Sequence, residues 1–137
     1  MVNDPHLFHF VRQQMELAFG PVDRESERYA FSFTDYYDEE MGQGLSKQII
    51  SFTRLIDKEG LAAAKRQTNE IEALSAAGRD GRRCRNVNID PGYVSDSKLV
   101  LASTKNFSHR IYVGQGIFAE VTLRYLRKAG FTPLEWT

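Results

Sequence analysis

The stretch HRIYVGQGIFAEVTLRY, residues 109 to 125, constrains the fold more than any other part of the chain. Apolar and polar side chains alternate on both sides of Gly114-Gln115-Gly116. A side-chain period of two leaves little freedom of register, because a slip of one residue turns every side chain to the other face. Taken as a three-residue loop, Gly-Gln-Gly sets Val113 against Ile117 and Ile111 against Ala119, on one apolar face with Val121 and Leu123. A two-residue loop would set Ile111 against Glu120, so the longer loop is expected. Arg110 then opposes Glu120 and Tyr112 opposes Phe118, on a second face with Thr122 and Arg124.

Upstream the pattern changes period. Asp4 and Pro5 read as the start of a helix that Gly20-Pro21 ends, with Leu7, Phe8, Val11, Met15, Ala18 and Phe19 on one stripe. Tyr29, Phe31 and Phe33 read as the core face of a strand, and KQIISFTRL, about residues 47 to 55, as a second one. A helix is expected from about Lys58 to Ala77, capped by Asp57, stopped by Gly78 and buried along Leu61, Ala64, Thr68, Ile71 and Leu74. In NVNIDPGYV, Val87 and Ile89 alternate with Asn86, Asn88 and Asp90 as in a strand, and Pro91-Gly92 turns the chain. SDSKLVLASTK is read as a short helix capped by Ser95 or Asp96, with Lys98 and Lys105 on one side. Helices and hairpins without a regular strand-helix repeat imply an α+β fold: a mixed, mainly antiparallel sheet with helices packed on one face.

The 137 residues suit a single domain, 1–137. Eighteen basic side chains against 18 acidic ones make a general polyanion binder unlikely on charge alone. Cys84 is the only cysteine, which excludes an internal disulfide and a thiolate zinc cluster. The sequence shows neither a bilayer-spanning apolar run nor a secretion signal, so a cytoplasmic location and no membrane partner are expected.

With one sheet face covered by helices, the other gathers the chemistry. Asn86, Asn88 and Asp90 would share it with Arg110, Tyr112, Glu120 and Arg124, offering acceptors beside guanidinium donors for a polar, anionic ligand. A solvated face with a plain Arg110–Glu120 pair is the competing reading. Asp90, His109 and Glu120 are the candidate proton carriers, with His109 titrating near neutrality when unperturbed. Asp90 as a helix cap and His109 as a structural histidine stand against that. The long DYYDEEMGQGLS connection, with Asp35 and Tyr36, would cover the site, and Tyr93 and Lys98 complete the ligand-binding set. Its acids read as a capped helical turn rather than a cation loop, and His6 and His9 lack further ligands, so no metal is expected. Neither Gly-Gln-Gly is a phosphate loop, there is no nucleophile elbow, and the sequence leaves any cofactor unknown.

Four blocks, FSFTDYYDEEMG, SFTRLID, NVNIDPGYVSDSKLVLASTK and HRIYVGQGIFAEVTLRY, together resemble a prokaryotic family catalogued as domain of unknown function 4416. The resemblance runs along nearly the whole chain. Members are at times labelled GTP-binding, a label the missing phosphate loop does not support here. The family usually opens with a short apolar strand before the first helix and continues past the position of Trp136-Thr137. The start MVNDPHLF therefore leads to the expectation of an open sheet edge that a second copy would pair with.

The leading functional reading is a site for a nucleotide-like or other anionic small ligand, with catalysis undecided. A non-catalytic protein-interaction module built on Tyr36, Tyr37 and Met41 is the alternative. RNA binding by Arg79, Arg82, Arg83 and Arg85 beside Tyr93 ranks third, because the chain as a whole is neutral.

Overall fold

The computed structural model describes residues 1–2, 4, 6–31, 38–79 and 82–137, with the backbone alone for 38, 39, 77–79, 82 and 83. They divide into two units, Met1–Leu55 with Gln67–Ile89, and Ile56–Arg66 with Asp90–Thr137. Helices and antiparallel strands make the class α+β.

In the first unit, helix α1 (Leu7–Phe19) starts two residues later than expected, with His6 rather than Asp4 at its N-cap. The Asp4 carboxylate accepts from His6 N at 2.9 Å and its carbonyl from Leu7 N at 3.0 Å, which satisfies amides that the helix cannot. Pro5 lies outside the described residues. Phe8 and Met15 are buried, and Leu7 and Val11 pack on a cluster of Val2, Phe8 and Val87. Among the described residues the strand pairing comes in short pieces: β1 (Val22–Glu25) pairs with β4 (Ile50–Phe52), and β2 (Tyr29–Ala30) pairs with β3 (Ser46–Lys47). Between the two ladders Ser26 interrupts the pairing. Its amide donates to the Ile49 carbonyl at 2.9 Å, its hydroxyl accepts from Ile49 N at 3.0 Å and its carbonyl accepts from Gln48 Nε2 at 3.0 Å, so side chains take two of the three bonds. Tyr29 is 40% exposed, not core. Phe33, Asp35, Tyr36 and Tyr37 lie outside the described residues. The acidic stretch after them does begin a helical turn, α2 (Asp38–Met41).

Helix α3 (Leu61–Leu74) follows a 3-10 turn at Lys58–Gly60, where Asp57 accepts from Glu59 N. It stops before the expected Ala77. Ser75 Oγ bonds the Glu72 carbonyl at 2.8 Å and Asn86 Nδ2 bonds the Ser75 carbonyl at 2.9 Å, so both carbonyls have side-chain donors at the helix end. Ala77–Arg79 (β5) then pairs with Arg82–Cys84 (β6). The NVNI stretch is not a strand. Val87 makes one bridge to Val2 and is fully buried, and Val2 also bridges Ser46.

The second unit is built on a five-stranded sheet in the order β11-β10-β8-β7, with β9 beside β10; the strands are β7 (Gly92–Ser95), β8 (Lys98–Ser103), β9 (Ile111–Gly114), β10 (Ile117–Leu126) and β11 (Gly130–Pro133). SDSKLVLASTK is thus a hairpin, not a helix. Val100 and Ala102 are buried at a spacing of two, and that alternation outweighs the capping signal of Ser95 and Asp96. Leu61 and Ala62 pack with Val100, Ala102, Ile117 and Ala119, so a helix covers one sheet face as expected. The predicted pairs Ile111–Ala119 and Tyr112–Phe118 are present. Nearer the turn the register shifts: Ile117 opposes Gly114, and Gln115 and Gly116 both have positive φ, as in a two-residue turn. Ile111, on the apolar parity, is 69% exposed because β9 is an edge strand beyond the helix cover.

A second irregularity decides more. Val121 opposes Val100 but Leu123 opposes Leu99, so Thr122 is an inserted residue in β10. Such a bulge reverses the facing of everything after it. Arg124, opposite Lys98, therefore shares the side of Val100 and Ala119, whereas Glu120 and Tyr112 lie on the other.

Three outcomes check this architecture. A Cβ on Gly92 would stand 2.3 Å from the Val100 carbonyl and 2.6 Å from Leu101 Cδ2, so Gly92→Ala is expected to cost about 1–3 kcal/mol in urea unfolding. Gly60→Ala, with nothing within 4 Å, should stay within about 0.5 kcal/mol of the wild type. At Gln115, φ 55°, Asn tolerates the left-handed backbone better, and Gln115→Asn should add about 0.5 kcal/mol by the same measurement.

Candidate functional site

The segment that leads from β8 into β9 is tied down by one guanidinium. Arg110 donates through Nε to Glu120 Oε2 at 2.6 Å and through Nη1 to Ser103 Oγ at 2.8 Å and to the Lys105 carbonyl at 3.1 Å. The Arg110 guanidinium also lies 4.6 Å from the Phe107 ring centre. The opposition of Arg110 and Glu120 argued from side-chain parity is thus a direct hydrogen bond, made by side chains only 13% and 12% exposed.

The same Glu120 oxygen is 2.9 Å from His109 Nε2. A carboxylate can only accept, so Nε2 is the nitrogen that carries hydrogen, and in the neutral ring Nδ1 keeps the lone pair. The imidazole stacks on Trp136 at 5.2 Å with 14° between the planes, and meets Phe107 at 6.0 Å. Trp136 is itself fixed by a 2.9 Å bond from Nε1 to the Val121 carbonyl. An ordered imidazole, one nitrogen engaged by an acid and the ring held between aromatics, is equipped to give and take a proton at the other nitrogen. Trp136, Phe107 and Ser103 were not singled out from the sequence. Ser103 was recoverable, because it opposes Phe118 on the Glu120 face, but no local signal brings Trp136 to His109.

The other expected residues are dispersed. Tyr112 shares the Glu120 face, edge-on to Phe118 at 5.4 Å, and its hydroxyl accepts from Gly116 N. Tyr93 instead packs against the core cluster, with Lys58 Nζ 5.9 Å from its ring centre. Lys98 is in β8 opposite Arg124, not on a helix with Lys105. Asp90 neither caps a helix nor joins His109; it holds Lys65 at 3.2 Å, a lysine whose side chain is 4% exposed. Asn86 and Asn88 belong to the first unit, Asn86 bonded to the Ser75 carbonyl and Asn88 buried. The open polar strand face expected for them does not form. Asp35 and Tyr36 lie outside the described residues.

Arg85, considered from the sequence as an RNA contact, is a structural centre of the first unit. It grips Glu40 with Nε and Nη2 at 2.7 and 2.8 Å and reaches Glu72 Oε2 through Nη1 at 2.9 Å. Glu72, 2% exposed, also accepts from Ile89 N at 2.7 Å. The hydrogen bond to Glu40 holds the Arg85 pKa above its ordinary value, opposed by burial and helped by Glu72. An acid on the buried stripe of α3 was the signal available in the sequence. Among the described residues no three His, Cys, Asp or Glu side chains come together as metal ligands, and no helix is long and apolar enough to cross a membrane.

An antiparallel sheet half-covered by helix, with an Arg-Glu-His cluster beside its edge strand, describes an α+β domain of no familiar catalytic motif. The chain belongs to the family described as domain of unknown function 4416, whose model matches residues 1–137. No curated protein and no solved structure matches it significantly.

The first-unit network makes a stability prediction. Glu72→Ala removes the acceptor 2.7 Å from Ile89 N and a buried partner of Arg85, at an expected cost of about 3–5 kcal/mol in urea unfolding. Glu40→Ala, at a 37% exposed carboxylate, should cost no more than about 1 kcal/mol.

Proposed function

We propose that the second unit binds a small ligand bearing an acidic group at His109, and that His109 exchanges a proton with it through Nδ1. The observation that supports this reading is the convergence of Arg110 and His109 on one oxygen of Glu120, at 2.6 and 2.9 Å. Arg110 positions the carboxylate, the carboxylate orients the ring, and the ring presents one basic nitrogen. Taking the proton leaves an imidazolium beside the anion it has made, so one residue serves both as base and as anion partner. The aromatic walls of Phe107 and Trp136 suit a ligand with a flat or apolar body. The test is thermal stabilisation across carboxylic, phosphorylated and nucleotide metabolites. A ligand at about a hundred times its dissociation constant should add about 2.7 kcal/mol to the wild type. His109→Gln should abolish that gain while leaving the ligand-free melting temperature within a few degrees; equal stabilisation in the variant removes the site.

A second reading, association through the sheet edge, has its own observation. Among the described pairings β9 is bonded on one side only, and Ile111 and Tyr112 on it are 69% and 63% exposed. A second copy pairing there would form a symmetric dimer. Met41, by contrast, is fully buried and cannot take part in an exposed patch. Light scattering should then show a dimer that Ile111→Lys dissociates; a monomer at high concentration rejects this reading.

A further inference from the structure

The end of the second unit's sheet away from His109 collects positive charge. Lys98 opens β8 and lies directly opposite Arg124 near the end of β10. Cross-strand partners have Cβ atoms about 4.5–5.5 Å apart, and like charges so placed destabilise the pairing. Both side chains are exposed, and neither has an ion-pair partner among the described residues. The turn from β10 to β11, at the same end, adds exposed Arg127 and Lys128. The turn from β7 to β8 adds one acid, Asp96, and is pinned onto β10 by a 2.8 Å bond from Tyr125 N to the Ser97 carbonyl. Four cations therefore stand against one carboxylate. The imbalance extends to the unit, which has nine Lys and Arg side chains and six Asp and Glu in a chain that is neutral overall.

We propose that this end of the sheet is a phosphate-binding site. The Arg124 guanidinium and the Lys98 ammonium would hold one phosphate group between them, with Arg127 and Lys128 taking a second. The anion removes the repulsion that strand pairing imposes. Because the Thr122 bulge puts Arg124 on the sheet face opposite Glu120, the site is separate from His109 and does not depend on it.

Inorganic pyrophosphate is the probe, titrated calorimetrically at constant ionic strength, with vesicles containing anionic phospholipid as a second arm. Wild-type protein should bind at least one of the two. Binding to pyrophosphate assigns a soluble phosphate ligand, and binding to vesicles alone assigns a lipid headgroup. Lys98→Glu and Arg124→Glu should each weaken binding at least about tenfold. Arg24→Glu, at an exposed cation of the first unit, should leave it unchanged. In phosphate-free buffer Lys98→Glu should melt at or above the wild type, since it places a carboxylate opposite Arg124, which also shows that the variant folds. No binding of wild type in either arm, or undiminished binding by both charge-reversal variants, overturns the proposal.

Discussion

Strand β10 is the element on which the second unit depends. Its residues pair with β8 along one edge and, along the other, first with β9 and then with β11. The strand is thus held along both edges, and one inserted residue changes the meaning of those that follow. Before Thr122 the strand presents Glu120 to Arg110 and His109; after it, Arg124 turns to the opposite face and meets Lys98. The bulge separates an acid-base cluster from a cationic end within one strand.

The first unit solves a different problem. It buries Glu72 and Asn88 beside Val2 and Val87, and a buried carboxylate is tolerable only when its lone pairs are filled. Arg85 and the Ile89 amide each donate to one oxygen of Glu72, and Glu40 accepts two more bonds from the guanidinium. The network joins α2, α3 and the segment after β6 where regular pairing is short. Polar satisfaction here fixes the path of the chain, which short ladders alone would leave loose.

What could be read beforehand was whatever depends on a local period. The α1 stripe, the buried positions Leu61, Ala64, Thr68 and Ile71 on α3, and the Ile111–Ala119 and Tyr112–Phe118 pairs all follow from spacings of 3.6 or 2, whereas Leu74, expected on the same stripe, is exposed at the helix end. Arg110 and Glu120 came out opposite one another by the same parity. The failures share a cause as well. SDSKLVLASTK fits either period over its few apolar residues, and Val100 and Ala102 settle as strand because a sheet neighbour exists on each side. VDRE shows no alternation at all, yet it pairs because Ile50–Phe52 is beside it.

The sequence alone therefore determined the α+β class, the closing hairpin and the encounter of Arg110 with Glu120, since these rest on side-chain direction along a few consecutive residues. Tertiary structure decided that Trp136 stacks on His109, that Asp90 answers Lys65, that Arg85 bridges two carboxylates and that Arg124 leaves the Glu120 face. The reason is physical: a backbone period states which way a side chain points, but the groups it meets there come from distant segments. One unpaired residue in a ladder reverses that direction without any local trace in the sequence.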